Sequence, residues 1–306
     1  MLLLVTLVTL AAVAAILLGR SKTGHETGLD SVLELTTDLT RDANQVGLVV
    51  TRISDEREVE IGREIERKIA ASGLVKRDPA LQAYVTDVAR PLLEYTRRKT
   101  IPYRFYIIGS QEINAFAISG GAVYVTTGML DFLESEAELA AILGHEISHV
   151  DLKHCVERLQ YEVAARKIGG DRLAAIADLG SRLVGLGFSE QQELEADARG
   201  VLLAAAAGYD PMAARATFQR LSQREPKTRA GQPTLMVGEL AVALEKALEQ
   251  YFATHPPTET RIRELETLFA RNARSWRGRT FYEGRWNYQE RIPRSRSDQV
   301  AERRRH

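Results

Sequence analysis

His145, Glu146 and His149 stand in the order His-Glu-x-x-His within the run LGHEISHV. In a helix, residues four apart fall about one turn apart on one face, so two imidazoles at that spacing can grip one ion while the glutamate stands beside it. The chemistry this suits is zinc-assisted hydrolysis. A bound zinc lowers the pKa of its water to about 7 and polarises a carbonyl, and Glu146 then serves as general base and returns the proton to the leaving amine. The competing explanation is a chance match on a solvated face. Ala140, Ala141, Ile142, Leu143, Ile147 and Val150 weigh against it, because they make the surroundings apolar and buried charges require a partner or a metal.

A catalytic zinc takes three protein ligands and keeps a fourth position for water. No histidine follows His149 on the same face. His154, five residues on, is turned by roughly 500° along a continuous helix and is expected at the surface, or at most as a substrate contact. Carboxylates are supplied instead by Glu193-Leu194-Glu195-Ala196-Asp197. Glu193 and Asp197, four apart, would repel unless something cationic lay beside them. Glu193 on the metal, with Asp197 hydrogen-bonded to the far nitrogen of a ligating histidine, fits that requirement and leaves Glu195 on another face. The alternative, that all three acids solvate a helix, is weakened by Ala196, Ala198, Val201 and Leu202 alongside them.

The elements that must position these groups are mostly helical. Ser54 and Asp55 precede Val59, Ile61, Ile65 and Ile69 at helical spacing, and a second helix is expected over 79–97. Residues 103–108 and 122–127 are strand candidates, and 112–119, containing Asn114-Ala115-Phe116, is a third strand or a bend. Ser135 with Glu138 predicts a capping box opening the His-Glu-x-x-His helix, which is expected to continue to Arg166; Gly169-Gly170 breaks it and Asp171 starts another. Ser189 with Gln192 predicts a second capping box, for a helix ending near Gly208. Further helices are expected from Pro211, over 234–252 and over 258–270, the last behind His255-Pro256-Pro257.

The 306 residues suffice for one large domain with terminal extensions: an anchor or signal sequence at 1–20, a linker at 21–53, the domain at 54–272 and a tail at 273–306. The apolar run from Leu2 to Gly19 approaches bilayer-spanning length. No Lys or Arg precedes it, which favours a retained membrane anchor over a cleaved signal. The single cysteine, Cys155, excludes both an intrachain disulfide and a thiolate zinc site. The 41 basic and 41 acidic residues balance, so no nucleic-acid partner is expected. From Arg271 to the last residue stand eleven arginines, with Trp276 and Trp286 among them, and the tail is expected to be solvated.

LGHEISHV followed by ELEAD, together with NAFAISGGAVYVTTGML and THPPTETRI, resembles the gluzincin metalloendopeptidases. That family includes the CAAX prenyl protease, the HtpX heat-shock protease and the bacterial envelope proteases of the BepA type. The likeness covers about 54–263 and lacks the extra membrane spans of the first two branches. It implies Glu193 as third zinc ligand and Asp197 behind it, with one Zn2+ per subunit. The implied fold is α+β, a predominantly helical zincin-like domain with a small β-sheet whose edge strand lines the cleft. That strand would be 121–127, so Gly121 and Val123 would bind an extended peptide by main-chain hydrogen bonds, with Asn114 and Phe116 near it. In such envelope proteases the His-Pro-Pro loop lies over the metal. His255 would then fill the open zinc position or hydrogen-bond the tetrahedral intermediate, the alternative being a rigid turn. Arg261 would reach Asp197 or substrate. The resemblance also implies unfolded or misassembled protein substrates and a membrane-anchored or exported chain at the bacterial envelope, its catalytic domain periplasmic. The rival is a chaperone-like or binding module with a closed, latent zinc site.

Overall fold

Ser54 accepts a hydrogen bond from the Arg57 amide and opens α1 (Asp55–Ala71), with Asp55, Glu56 and Glu58 in its positive first turn. Ile61, Ile65 and Ile69 form its buried stripe, each contributing roughly 1.5–3 kcal/mol. Asp78 caps α2 (Pro79–Leu93) on the Leu81 amide, with Pro79 in the first turn. α2 stops four residues before the expected Arg97, because Thr96 and Lys99 donate to the carbonyls of Leu93 and Glu94 and satisfy the helix end. In this computed structural model residues 53–165, 172–183, 187–223, 255 and 258–294 are described. The expected anchor at 1–20, nearly all of the linker, and the expected helix at 234–252 lie outside the described residues. Among those described, no helix is long and apolar enough to cross a membrane.

Three strands make a mixed sheet: β1 (Arg104–Ile108), β2 (Ala115–Ala117) and β3 (Ala122–Thr126), in the order β1-β3-β2. β1 runs parallel and β2 antiparallel to β3, so Val123 lies opposite both Phe105 and Ala117. This corrects the expectation that 121–127 is the edge strand. β3 is central, all five of its residues are buried, and the edge nearer the chemistry is β2. Alternate side chains point to opposite faces. Tyr124, Phe116 and Ile108 face the isoleucines of α1, while Val123, Val125, Phe105 and Ala117 face Val85, Val88 and Leu92 of α2.

After α3 (Thr127–Phe132) comes α4 (Glu136–Asp151), every residue of which is buried. It packs beside β2 and beneath the later helices. Ser135 caps it on the Glu138 amide, but the Glu138 carboxylate reaches the Glu134 amide and Arg220 instead of closing a capping box. α4 ends at Asp151 with Leu152 as its C-cap, and Lys153 turns the chain with φ 70° before α5 (His154–Ala165) begins. The expected continuous helix to Arg166 is therefore broken. Asp151 fixes the break by accepting the Arg97 and Arg98 amides and pairing with Arg199, interactions with partners far along the chain.

The chain continues through α6 (Leu173–Leu183), α7 (Glu190–Ala206), α8 (Met212–Ser222) and α9 (Glu259–Trp276). α7 opens with the full Ser189–Gln192 capping box. The segment after α9 is not a solvated tail as far as Arg294. Tyr282 bridges Tyr209, α10 (Arg285–Glu290) follows, and Tyr288 is buried with its hydroxyl on the Leu130 carbonyl. The Glu283 and Gly284 carbonyls accept the Ala137 and Glu136 amides, so this segment satisfies free amides at the start of α4.

Candidate metal centre

Three elements converge on one buried point. α4 supplies His145 and His149 one turn apart with Glu146 between them, α7 supplies Glu193 and Asp197, and His255 enters from the segment before α9. The approach of α4 to α7 depends on two glycines. A Cβ at Gly144 would stand 2.8 Å from the Gly200 carbonyl oxygen, and one at Gly200 would stand 2.7 Å from the His145 amide nitrogen. Gly200→Ala must therefore push apart the helices that carry the two halves of the site. It is expected to cost about 1–3 kcal/mol and to weaken metal binding in the same variant. A urea titration and a metal titration check this, and normal values in both would refute it.

Nε2 of His149 lies 3.1 Å from Nε2 of His145. Glu193 places one carboxylate oxygen 3.5 Å from the His145 nitrogen and the other 3.7 Å from the His149 nitrogen. His255 completes the group, its Nδ1 2.8 Å from Glu193 Oε1 and 3.2 Å from His145 Nε2. Four ligand atoms, one from each residue, all lie within 4.8 Å of one another, and all four residues are buried. Ligands about 2.0–2.1 Å from a tetrahedral ion stand roughly 3.3 Å apart, so these spacings and this nitrogen–oxygen donor set fit a metal such as zinc.

The electrostatics call for positive charge at the same point. Burial opposes a charged His145, yet Asp197 and Glu193 overcome it and raise its pKa to about 10. Burial and the neighbouring His145 push His149 the other way, well below its usual value. Burial alone would raise Glu193 and Asp197. His255 and His145 beside Glu193, and His145 and Arg261 beside Asp197, instead hold both carboxyls below their ordinary range. Burial raises Glu146, against the pull of His255 and His145, and its two oxygens are sealed from solvent with His255 Nε2 3.6 Å away.

Among the residues singled out from sequence, His145, Glu146, His149, Glu193, Asp197, His255 and Arg261 come together. Asp197 Oδ1 lies 3.0 Å from Nδ1 of His145, the nitrogen turned away from the ligand cluster. Arg261 joins both acids, with NH1 3.0 Å from Glu193 and Nε 2.7 Å from Asp197. Gly121 and Val123 do not reach the site. Gly121, at φ 93°, turns the chain into β3 against Ile101, and Val123 is enclosed between two paired strands. Asn114 is buried at the start of β2, its amide donating to Thr126 Oγ1 and its carbonyl accepting from the Thr126 amide.

Two neighbours were missed. His154 is not at the surface: it is 2% exposed, with Nδ1 3.1 Å from Nδ1 of His149, because the break at Lys153 cancels the helical rotation that placed it elsewhere. Phe188 stacks on His149 with ring centroids 3.8 Å apart, and the Arg158 guanidinium sits 4.3 Å over the Phe188 ring. Its sequence signal was an apolar residue just before the Ser189 cap, the position of a hydrophobic staple whose partner in α7 would be Glu193. With no apolar partner there, the ring covers the histidine instead.

The sequence profile of Peptidase family M48 matches residues 76–268, more than half of the chain and all of the helices that build this site except the end of α9. The chain belongs to that family. It is 28% identical over 186 residues to the beta-barrel assembly-enhancing protease of Escherichia coli (strain K12), a match covering 55% of this chain and 38% of that one. It is 30% identical over 191 residues to the mitochondrial metalloendopeptidase OMA1 of Schizosaccharomyces pombe, covering 60% and 51%. To the metalloprotease LoiP of Escherichia coli (strain K12) it is 30% identical over 152 residues, covering 46% and 59%. The chain thus spans less than two thirds of each of these relatives. The family is one of peptidases by its description, and OMA1 and LoiP are themselves named a metalloendopeptidase and a metalloprotease.

Proposed function

We propose that the chain is a zinc-dependent endopeptidase of the bacterial cell envelope that cleaves unfolded or misassembled proteins and rests in a latent state imposed by His255. The observation that carries this is the buried cluster of His145, His149, Glu193 and His255, with Glu146 beside it and outside the ligand set. His145, His149 and Glu193 hold one zinc, which when bound supplies a Lewis acid and water of lowered pKa. Glu146 takes the proton of the attacking water and passes it to the leaving amine. Asp197 accepts from His145 Nδ1 and fixes that ring, and Arg261 holds both acids in place. β2, the edge strand on this side among the described residues, would offer main-chain groups to an extended peptide, the role first expected of 121–127. The envelope setting rests on the beta-barrel assembly-enhancing relative and on the apolar run at 2–19, which serves as the anchor.

His255 is the regulatory element because its Nδ1 stands where a fourth ligand would. The full chain loaded with zinc is expected to cleave casein slowly, and His255→Ala to raise that rate by about tenfold, as removal of a competing closed state would. A fall in the rate would instead make His255 a contact to the tetrahedral intermediate. The same position of Nδ1 also favours a second reading, a permanently closed zinc in a chaperone-like module. Zinc bound with no cleavage by either protein, and no binding of a peptide hydroxamate, would establish that one.

A further inference from the structure

We propose that His154 and Glu195 form a hydrogen-bonded relay that positions His149 for the metal, a role that rests on the metal-site reading above. A neutral imidazole has one donor and one acceptor nitrogen. If Nε2 of His149 gives its lone pair to a metal, its proton must sit on Nδ1. That nitrogen lies 3.1 Å from Nδ1 of His154, which must then accept and carry no proton. His154 therefore bears its proton on Nε2, and that nitrogen lies 3.3 Å from Glu195 Oε2, an acceptor. Every hydrogen bond in the series then has one permitted direction: His149 to His154, and His154 to Glu195.

The relay is the counterpart of the contact on the other histidine. His145 gives its Nδ1 proton directly to the Asp197 carboxylate at 3.0 Å, whereas His149 reaches a carboxylate only through a second imidazole. His154 is buried and Glu195 is about half exposed, so the series runs from the ligand cluster to the protein surface. Glu195 is itself oriented by Gln191, whose Nε2 donates to Oε1 at 2.8 Å and leaves Oε2 for His154. The turn at Lys153 is what swings His154 into this place, and Phe188 closes the face of the His149 ring. Ring orientation is thus fixed by a hydrogen bond at Nδ1 and by stacking.

The test uses the full chain and two readouts that do not depend on catalysis. Zinc is titrated against a chromophoric chelator in the wild type, His154→Leu and His154→Asn, with thermal melting of each chelator-treated protein as the folding control. Wild type is expected to bind one zinc, His154→Leu to bind it 10–100-fold more weakly, and His154→Asn to stay within about threefold, because its amide oxygen can accept where Nδ1 did. Equal affinity in His154→Leu, or an Asn variant as weak as the Leu variant, would overturn the relay. Long-range proton–nitrogen NMR of the zinc-loaded wild type needs no variant: His149 is expected as the Nδ1–H tautomer and His154 as the Nε2–H tautomer. His154 protonated on Nδ1 would overturn the proposal even if the Leu variant failed to fold. A wild type that binds no zinc would instead bring down the metal-site reading itself.

Discussion

Glu146→Gln is expected to leave zinc binding at one per chain and to reduce casein cleavage by about 10²–10⁴-fold, the usual contribution of a positioned general base. Glu146 lies between the two histidines of α4 but is not one of the four residues whose ligand atoms cluster. It is fully buried, and glutamine fills nearly the same volume, so neither packing nor the ligand set should change. The lost property is proton acceptance. To keep latency from hiding the effect, the comparison is made in the His255→Ala background, where basal cleavage is expected to be higher. Zinc content is measured on the same preparations. Cleavage undiminished by the substitution would remove Glu146 from the mechanism, and lost zinc would make it a ligand or a structural support.

The parts of the site that lie on one helix were legible because helical periodicity is a local rule. His145 and His149 share a face at any tertiary fold, and so do Glu193 and Asp197. The Ser189–Gln192 capping box formed as read, since both partners are within four residues. What escaped was imposed from far along the chain. Lys153 is neither Gly, Asn nor Pro, and its left-handed turn is held by Asp151 through the amides of Arg97 and Arg98, more than fifty residues away. That one turn decided whether His154 faced solvent or His149. The misplacement of the edge strand is different, because the signal was present. Ala122-Val123-Tyr124-Val125 is an unbroken apolar run, the pattern of a strand covered on both faces, whereas an edge was inferred for it.

Arg261→Met should be the most destabilising of these substitutions, by about 3–5 kcal/mol in the chelator-treated full chain. The side chain is 1% exposed and its guanidinium donates to both acids of α7, with Nε and NH2 on the two oxygens of Asp197 and NH1 on Glu193. Methionine keeps much of the volume beside Phe218 but leaves two buried carboxylates with only the histidines to balance them. An uncompensated buried charge costs more than the pair contributed. For a domain of this size the loss corresponds to a fall in melting temperature of roughly 10 °C. Saturating zinc should recover part of it, because a divalent ion beside Glu193 supplies the missing positive charge and binding stabilises the folded state. Arg261→Lys should recover little, since a single ammonium cannot span both acids as the planar fork does. A melting temperature unchanged in Arg261→Met would mean that the ion pairs holding α9 to α7 contribute nothing net. Full recovery by lysine would show that charge, and not the fork geometry, is what the two acids require.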